Sequence, residues 1–312
     1  MFLRGLFCAS MEDAAATGTG KEEVLKEGSI EEYLLYLQDE KNSTLSTLQG
    51  YRCDLDQLFL WAEKKGLRSL RDISSEVLEA WKEEMEEEGR APRTIKRKLT
   101  TVRGYFSWLQ EKGILRINSA LELKLPDEEE RVRVLSLEEI SAILNDPDPS
   151  DWQGARDKAL LELLYGSGLK TSQIVSLRVK DIDLQVSCII MPGPAGQERI
   201  VPFGERARKA LLRYISLMRM RFSGPDQILF ISRDGEALSR QSIWKIVKKH
   251  AEAAGVKKNV SPGLLRSSLA VHLLEYGADP ESVRDIMGHT SSASTRRYDL
   301  AGKGRRRGPA IK

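Results

Sequence analysis

At 312 residues the chain is too long for one ordinary small domain, and two domains are the natural expectation. With 41% hydrophobic and 30% charged residues it can bury real cores, which excludes a disordered chain. Its 49 basic and 46 acidic residues nearly cancel to a net +3, so only the distribution of charge can speak for or against a nucleic-acid partner.

Residues 1–28 are rich in Ala, Gly, Thr and charge without a period, and read as a flexible tail. The opening MFLRGLFCAS is too short and too weakly basic for a signal peptide, and Met11 is a second candidate start. From Ser29 the pattern turns helical. SIEEYLLYLQDE opens with the capping-box spacing of Ser29 and Glu32. Residues 46–66 place Leu48, Tyr51, Leu55, Leu58, Leu60 and Trp61 at near-helical intervals and end at Gly66. A third helix is predicted over 75–89, SEVLEAWKEEMEEEG.

The fourth predicted helix, PRTIKRKLTTVRGYFSWLQEKG at 92–113, carries Ile95, Leu99, Val102, Phe106 and Leu109 as one apolar stripe. Arg93, Lys96, Arg97 and Arg103 fall on roughly the opposite face, with no acid before Glu111. Such a face suits phosphate contacts in a DNA groove, and it equally suits the solvated side of a bundle helix. Residues 119–135, polar and containing Pro126, read as an interdomain linker.

Ser136 opens SLEEISAIL with another capping box, to Glu139. A helix over about 153–165, ended by Gly166 and Gly168, and one over roughly 171–178 follow. SCIIM (187–191) and ERIVPFG (198–204), joined by PGPAGQ, read as a β-hairpin. Helices resume at about 205–221, 239–254, 263–276 and 280–287. His272, within the apolar AVHLL, reads as a core histidine, and His250 in KIVKKHAEAAG as a surface one. Lys245, Lys248 and Lys249 share a helix with Ile243, Trp244 and Val247, the pattern of an amphipathic helix with a basic side.

Three well-separated cysteines, Cys8, Cys53 and Cys188, argue against a disulfide framework and for a reducing, cytoplasmic setting. No apolar run approaches the roughly 18–20 residues of a membrane span. No Cys/His cluster suggests a metal, and no Gly-rich strand-to-helix loop suggests a nucleotide.

Four segments together resemble the tyrosine recombinase (phage integrase) family, closest to the Xer type: 155–183, 198–204, SPGLLRSSLAVHLLEYGAD at 261–279, and IMGHTSSASTRRY at 286–298. The resemblance runs from residue 29 over almost the whole chain. It implies a mainly α protein: a SAM-like four-helix core-binding domain at 29–118, the linker 119–135, and a mostly helical catalytic-type domain with a small β-sheet at 136–300. Residues 301–312 then form a basic flexible tail. It also implies a C-shaped clamp on duplex DNA, a second recombinase protomer or paralogue as partner, and no cofactor.

In that family a tyrosine attacks a DNA phosphodiester and forms a 3′-phosphotyrosyl bond. Two arginines neutralise the non-bridging oxygens, a hairpin lysine protonates the leaving oxygen, and histidines position the phosphate. Tyr298 matches the nucleophile, His289 the histidine or tryptophan nine residues before it, and Arg266 the second arginine. Lys170 stands at the first arginine. Gly263 stands at the histidine three residues ahead of Arg266, and Pro194 at the hairpin lysine. Gln173 and Ser267 replace a glutamate and a further histidine. Arg199, the neighbouring basic residue on the hairpin, is a further candidate DNA contact and substitutes for the missing lysine only in part, because a guanidinium is too weak an acid to donate its proton readily. His289 has a competing role, since a Gly-His pair also ends a helix. Two functions stay open: a DNA-binding member with impaired strand cleavage, and a slow working recombinase in which Lys170 covers for the arginine. Topoisomerase-like relaxation is the third.

Overall fold

The computed structural model describes residues 28–126, 133–192, 198–218, 226–288 and 298. The chain divides into two compact units, 1–129 and 130–312. Among the described residues there are eleven α-helices and one small sheet, the mainly helical class expected from the sequence. No described helix is long and apolar enough to cross a membrane.

The first unit holds α1 (Gly28–Asp39), α2 (Leu45–Lys64), α3 (Ser75–Glu87) and α4 (Pro92–Glu111). The α1 helix starts one residue before the predicted cap at Ser29. Thr44 caps α2 by accepting from the Thr47 N–H, and Ser74 caps α3 by accepting from the Val77 N–H. Pro92 opens α4, where its missing N–H costs nothing. All five residues of the predicted α4 stripe are buried. So are Tyr105 and Trp108, which stack on each other and reach Tyr33 of α1. One residue of the α2 pattern differs. Leu60 faces solvent, and Phe59 enters the core against Tyr105 in its place. Ala120 and Leu123 are buried in this unit with Leu125 packed against them, so its core runs into the stretch read as linker.

The second unit comprises α5 (Leu137–Asn145), α6 (Trp152–Ser167), α7 (Thr171–Ser176), β1 (Ile182–Asp183), β2 (Cys188–Pro192), β3 (Glu198–Pro202), α8 (Glu205–Met218), α9 (Arg240–Ala253), α10 (Pro262–Glu275) and α11 (Pro280–Met287). The Ser136 capping box forms as expected: the Ser136 N–H donates to Glu139 at 2.7 Å, and the Glu139 N–H donates to the Ser136 hydroxyl at 3.2 Å. The α6 helix is buried on most sides, with the apolar Ala155, Ala159, Leu160, Leu161, Leu163 and Leu164 in the core and the charged Arg156, Asp157 and Glu162 buried beside them. The predicted hairpin is antiparallel, with Ile189 opposite Val201 and Met191 opposite Arg199. The two-residue β1 completes the sheet beside β2 and is too short to leave a period in the sequence.

His250 is not at the surface. It is buried, with Nδ1 2.6 Å from Asp146 and Nε2 3.1 Å from Asp157, while Arg156 binds the other oxygen of Asp157 at 2.8 Å. Its place on the inner side of α9 was hidden because both acids come from distant segments. His272 is buried as expected, with Nδ1 3.0 Å from the Tyr165 hydroxyl.

The His250 network carries a pH dependence. Burial pulls the His250 pKa down, but hydrogen bonds to Asp157 and Asp146 outweigh it and leave the pKa raised above 6.5. A raised folded pKa contributes stability that is fully present below 6.5 and is lost as pH rises through the folded value. Burial pushes the Asp157 carboxyl up, but His250 and Arg156 leave it lowered. Its contribution is therefore lost in acid instead, as pH falls through the folded Asp157 pKa. In chemical unfolding, the stability difference between wild type and His250→Gln should shrink as pH rises above 6.5 through the raised folded pKa. A constant difference over that rise would count against the network.

Candidate active site

Four segments of the second unit converge. Gly168 ends α6 in the left-handed region (φ +61°), and Leu169 and Lys170 lead into α7. Lys170 is the residue before α7. Its backbone N–H donates to Gln173 at 2.9 Å, and the residue is exposed. Gln173, at the position where the family has a glutamate, thus serves as a local helix cap.

Ser261 caps α10 by accepting from the Leu264 N–H, and Pro262 begins the helix. Arg266 follows one turn later and is 9% exposed. Its Nη1 donates to the Gly168 carbonyl and its Nη2 to the Met287 carbonyl at the end of α11. Arg199, on β3, donates from Nη2 to the preceding carbonyl, Ile286. Two guanidiniums therefore meet at the carbonyl end of α11, where the helix dipole is negative. Gly288 ends that helix at φ +60°, and a Cβ there would lie 2.6 Å from Cζ of Arg199. A Cβ on Gly168 would come 2.7 Å from the Met287 sulfur. Both glycines allow a close approach, and their place after a helical pattern is the sequence signal for them.

Burial lowers the Arg266 pKa to about 10, nearby Tyr298 works in the opposite direction, and Arg199 adds to the lowering. Burial also lowers the Arg199 pKa, against the favourable charge of Asp285. Tyr298 is 3% exposed and packs among Leu269, Val271, Val283 and Met287. The structure thus brings Tyr298, Arg266 and Arg199 together in one neighbourhood, with Lys170 two residues beyond the carbonyl that holds Arg266. At Gly263 an added Cβ would find nothing nearer than the Ser261 hydroxyl at 3.7 Å. His289, Pro194 and the tail 301–312 lie outside the described residues.

The basic face of α4 is less uniform than its sequence. Arg93 is exposed and Lys96 partly so. Arg97 pairs with Asp54, a fully buried carboxylate of α2 that also accepts from Thr101 and lies 3.6 Å from buried Lys98. The Arg103 guanidinium donates to the Ala120 and Leu123 carbonyls, so two of its donors are used within the unit. The acid missing from the helix itself arrives from its neighbour, and spacing within α4 cannot show that.

Residues 133–303 match the Phage integrase family, and residues 30–113 match the Phage integrase, N-terminal SAM-like domain. Tyrosine recombinase XerD of Staphylococcus epidermidis is 33% identical over 283 residues, covering 88% of this chain and 94% of that protein. XerD of Listeria monocytogenes is 30% identical over 274 residues, covering 86% and 92%. The Tn1549 transposon integrase in complex with transposon right end DNA shares the fold, with a TM-score of 0.68 at 21% identity over 86% of this chain and 94% of that one. The chain belongs to the phage integrase family of tyrosine recombinases, which carry out site-specific recombination. Within that family it is similar to the Xer type.

Proposed function

We propose that the protein binds duplex DNA, alongside a second recombinase protomer or paralogue, and that its own strand cleavage is impaired. The observation that carries this reading is a nucleophile with incomplete support. Tyr298 lies beside Arg266, while Lys170 occupies the first-arginine position and Gly263, without a side chain, stands where the family has a histidine. In the inherited reaction the Tyr298 oxygen bonds to phosphorus, the bond to the 5′-oxygen breaks, and that oxygen takes a proton. A lysine keeps positive charge at the phosphate but loses the two-pronged guanidinium geometry. Removing one preorganised donor costs about 10²–10³ in rate, and losing a general acid costs on the order of 10²–10⁴. The retained Tyr298–Arg266 neighbourhood favours the second reading, a slow recombinase forming a 3′-phosphotyrosyl intermediate.

A duplex nicked beside the cleavage position traps any covalent adduct and separates the two readings. Adduct formed by wild type and absent in Tyr298→Phe establishes the working recombinase. DNA binding itself is read by gel shift across salt. Arg93→Ala and Lys96→Ala should each weaken binding and reduce the salt slope by about 1. Arg103→Ala should leave that slope unchanged and cost the first unit about 1–3 kcal/mol through its stranded carbonyls. A reduced slope for Arg103→Ala would reverse its assignment.

A further inference from the structure

We propose that Arg199 is the second guanidinium of a phosphate site shared with Arg266, so that in this chain the arginine pair is supplied by β3 and α10 rather than by the residue at 170. The proposal rests on the DNA-binding reading above and names the residue that meets the phosphate.

The two arginines hold successive carbonyls, Ile286 and Met287, which sets them side by side. Among the described residues, none of the hydrogen bonds from either guanidinium goes to a carboxylate. The acid that favours the Arg199 charge, Asp285, is mostly exposed and is engaged by Arg284 at 3.2 Å. Two like charges, Arg266 buried and Arg199 half-buried, repel each other where no described carboxylate pairs with them. An anion between them reverses that cost.

A second observation is independent of charge. The Nε of Arg199 is buried and has no hydrogen-bond acceptor among the described residues. A buried N–H without a partner is destabilising, and a guanidinium presents Nε and one Nη as a fork matched to two phosphate oxygens. Were Arg199 only a clip for the end of α11, its Nη2 would suffice and Nε would have no use. Gly288 fits the same design, because any Cβ there would push the guanidinium out of its seat. Lys170 has neither a fork nor a buried position.

The test uses the full chain labelled with 15N-arginine, titrated with inorganic phosphate at constant ionic strength. The Nε–H signals are assigned with Arg199→Lys and Arg266→Lys, or with Arg199→Gln if the first variant unfolds. The Arg199 and Arg266 signals should move together along one saturation curve. Arg199→Lys, which keeps the charge but removes the fork, should weaken phosphate binding about tenfold or more, as read at Arg266. Movement of Arg266 with Arg199 unmoved, or no movement of either, overturns the proposal. A parallel gel shift keeps the two claims apart: DNA binding with a silent Arg199 leaves the function standing without this site. Paired titration with no DNA shift upholds the site and removes the DNA-binding reading.

Discussion

Restoring three side chains, Lys170→Arg, Gly263→His and Pro194→Lys, should raise the covalent adduct on nicked duplex DNA by about 10²–10⁴-fold over wild type. The arginine returns a planar fork to the non-bridging oxygens, and the lysine returns an acid for the leaving 5′-oxygen. The histidine adds a donor one turn before Arg266. Two of these sites tolerate the change physically. Residue 170 is exposed, and a Cβ at 263 would meet only the Ser261 hydroxyl at 3.7 Å. The gains should not add, because groups of one catalytic unit act together. For the same reason each single replacement should fall well short of the triple. Adduct must disappear when Tyr298→Phe is placed in the restored chain. A restored chain that binds DNA but stays at background would show that the impairment does not lie at these three positions.

Gly154→Ala should destabilise the second unit by about 3 kcal/mol, read from urea unfolding. Gly154 lies in the first turn of α6, and its N–H donates to Asp151 at 2.7 Å. An added Cβ would overlap the Asp148 carbonyl oxygen and lie 2.8 Å from its carbon. The obstacle is backbone, so no side-chain rotation relieves it. The displaced turn is also the one that supplies Asp146 to His250. The variant should therefore lose part of the pH dependence as well as stability. Gly263→Ala is the control. It sits in the first turn of α10, where a Cβ would make only an ordinary contact with the Ser261 hydroxyl at 3.7 Å, so it should be neutral or stabilising by up to about 1 kcal/mol. Equal losses at 154 and 263 would mean that helix propensity, rather than the Asp148 carbonyl, sets the cost.

Much of the architecture was legible because local physics writes it in periods and caps. The α4 stripe, the Ser136–Glu139 box, the glycine at the end of α6 and the hairpin strands depend on residues close in sequence. The motifs around Lys170, Arg266 and Tyr298 pointed to the family for the same reason, since each is a short segment with a fixed order. What spacing cannot express is which distant group a side chain meets. Arg97 and Arg103 have the sequence of a basic face, yet Asp54 and the carbonyls of Ala120 and Leu123 engage both. His250 has the sequence of a surface residue, yet two carboxylates from other segments make it a buried ion pair. Arg199 was legible as a basic residue on a hairpin, and only the packing of β3 against the end of α11 set it beside Arg266. Periodicity and caps are properties of a single segment, whereas burial and the partner of a charge are set by long-range contacts between segments.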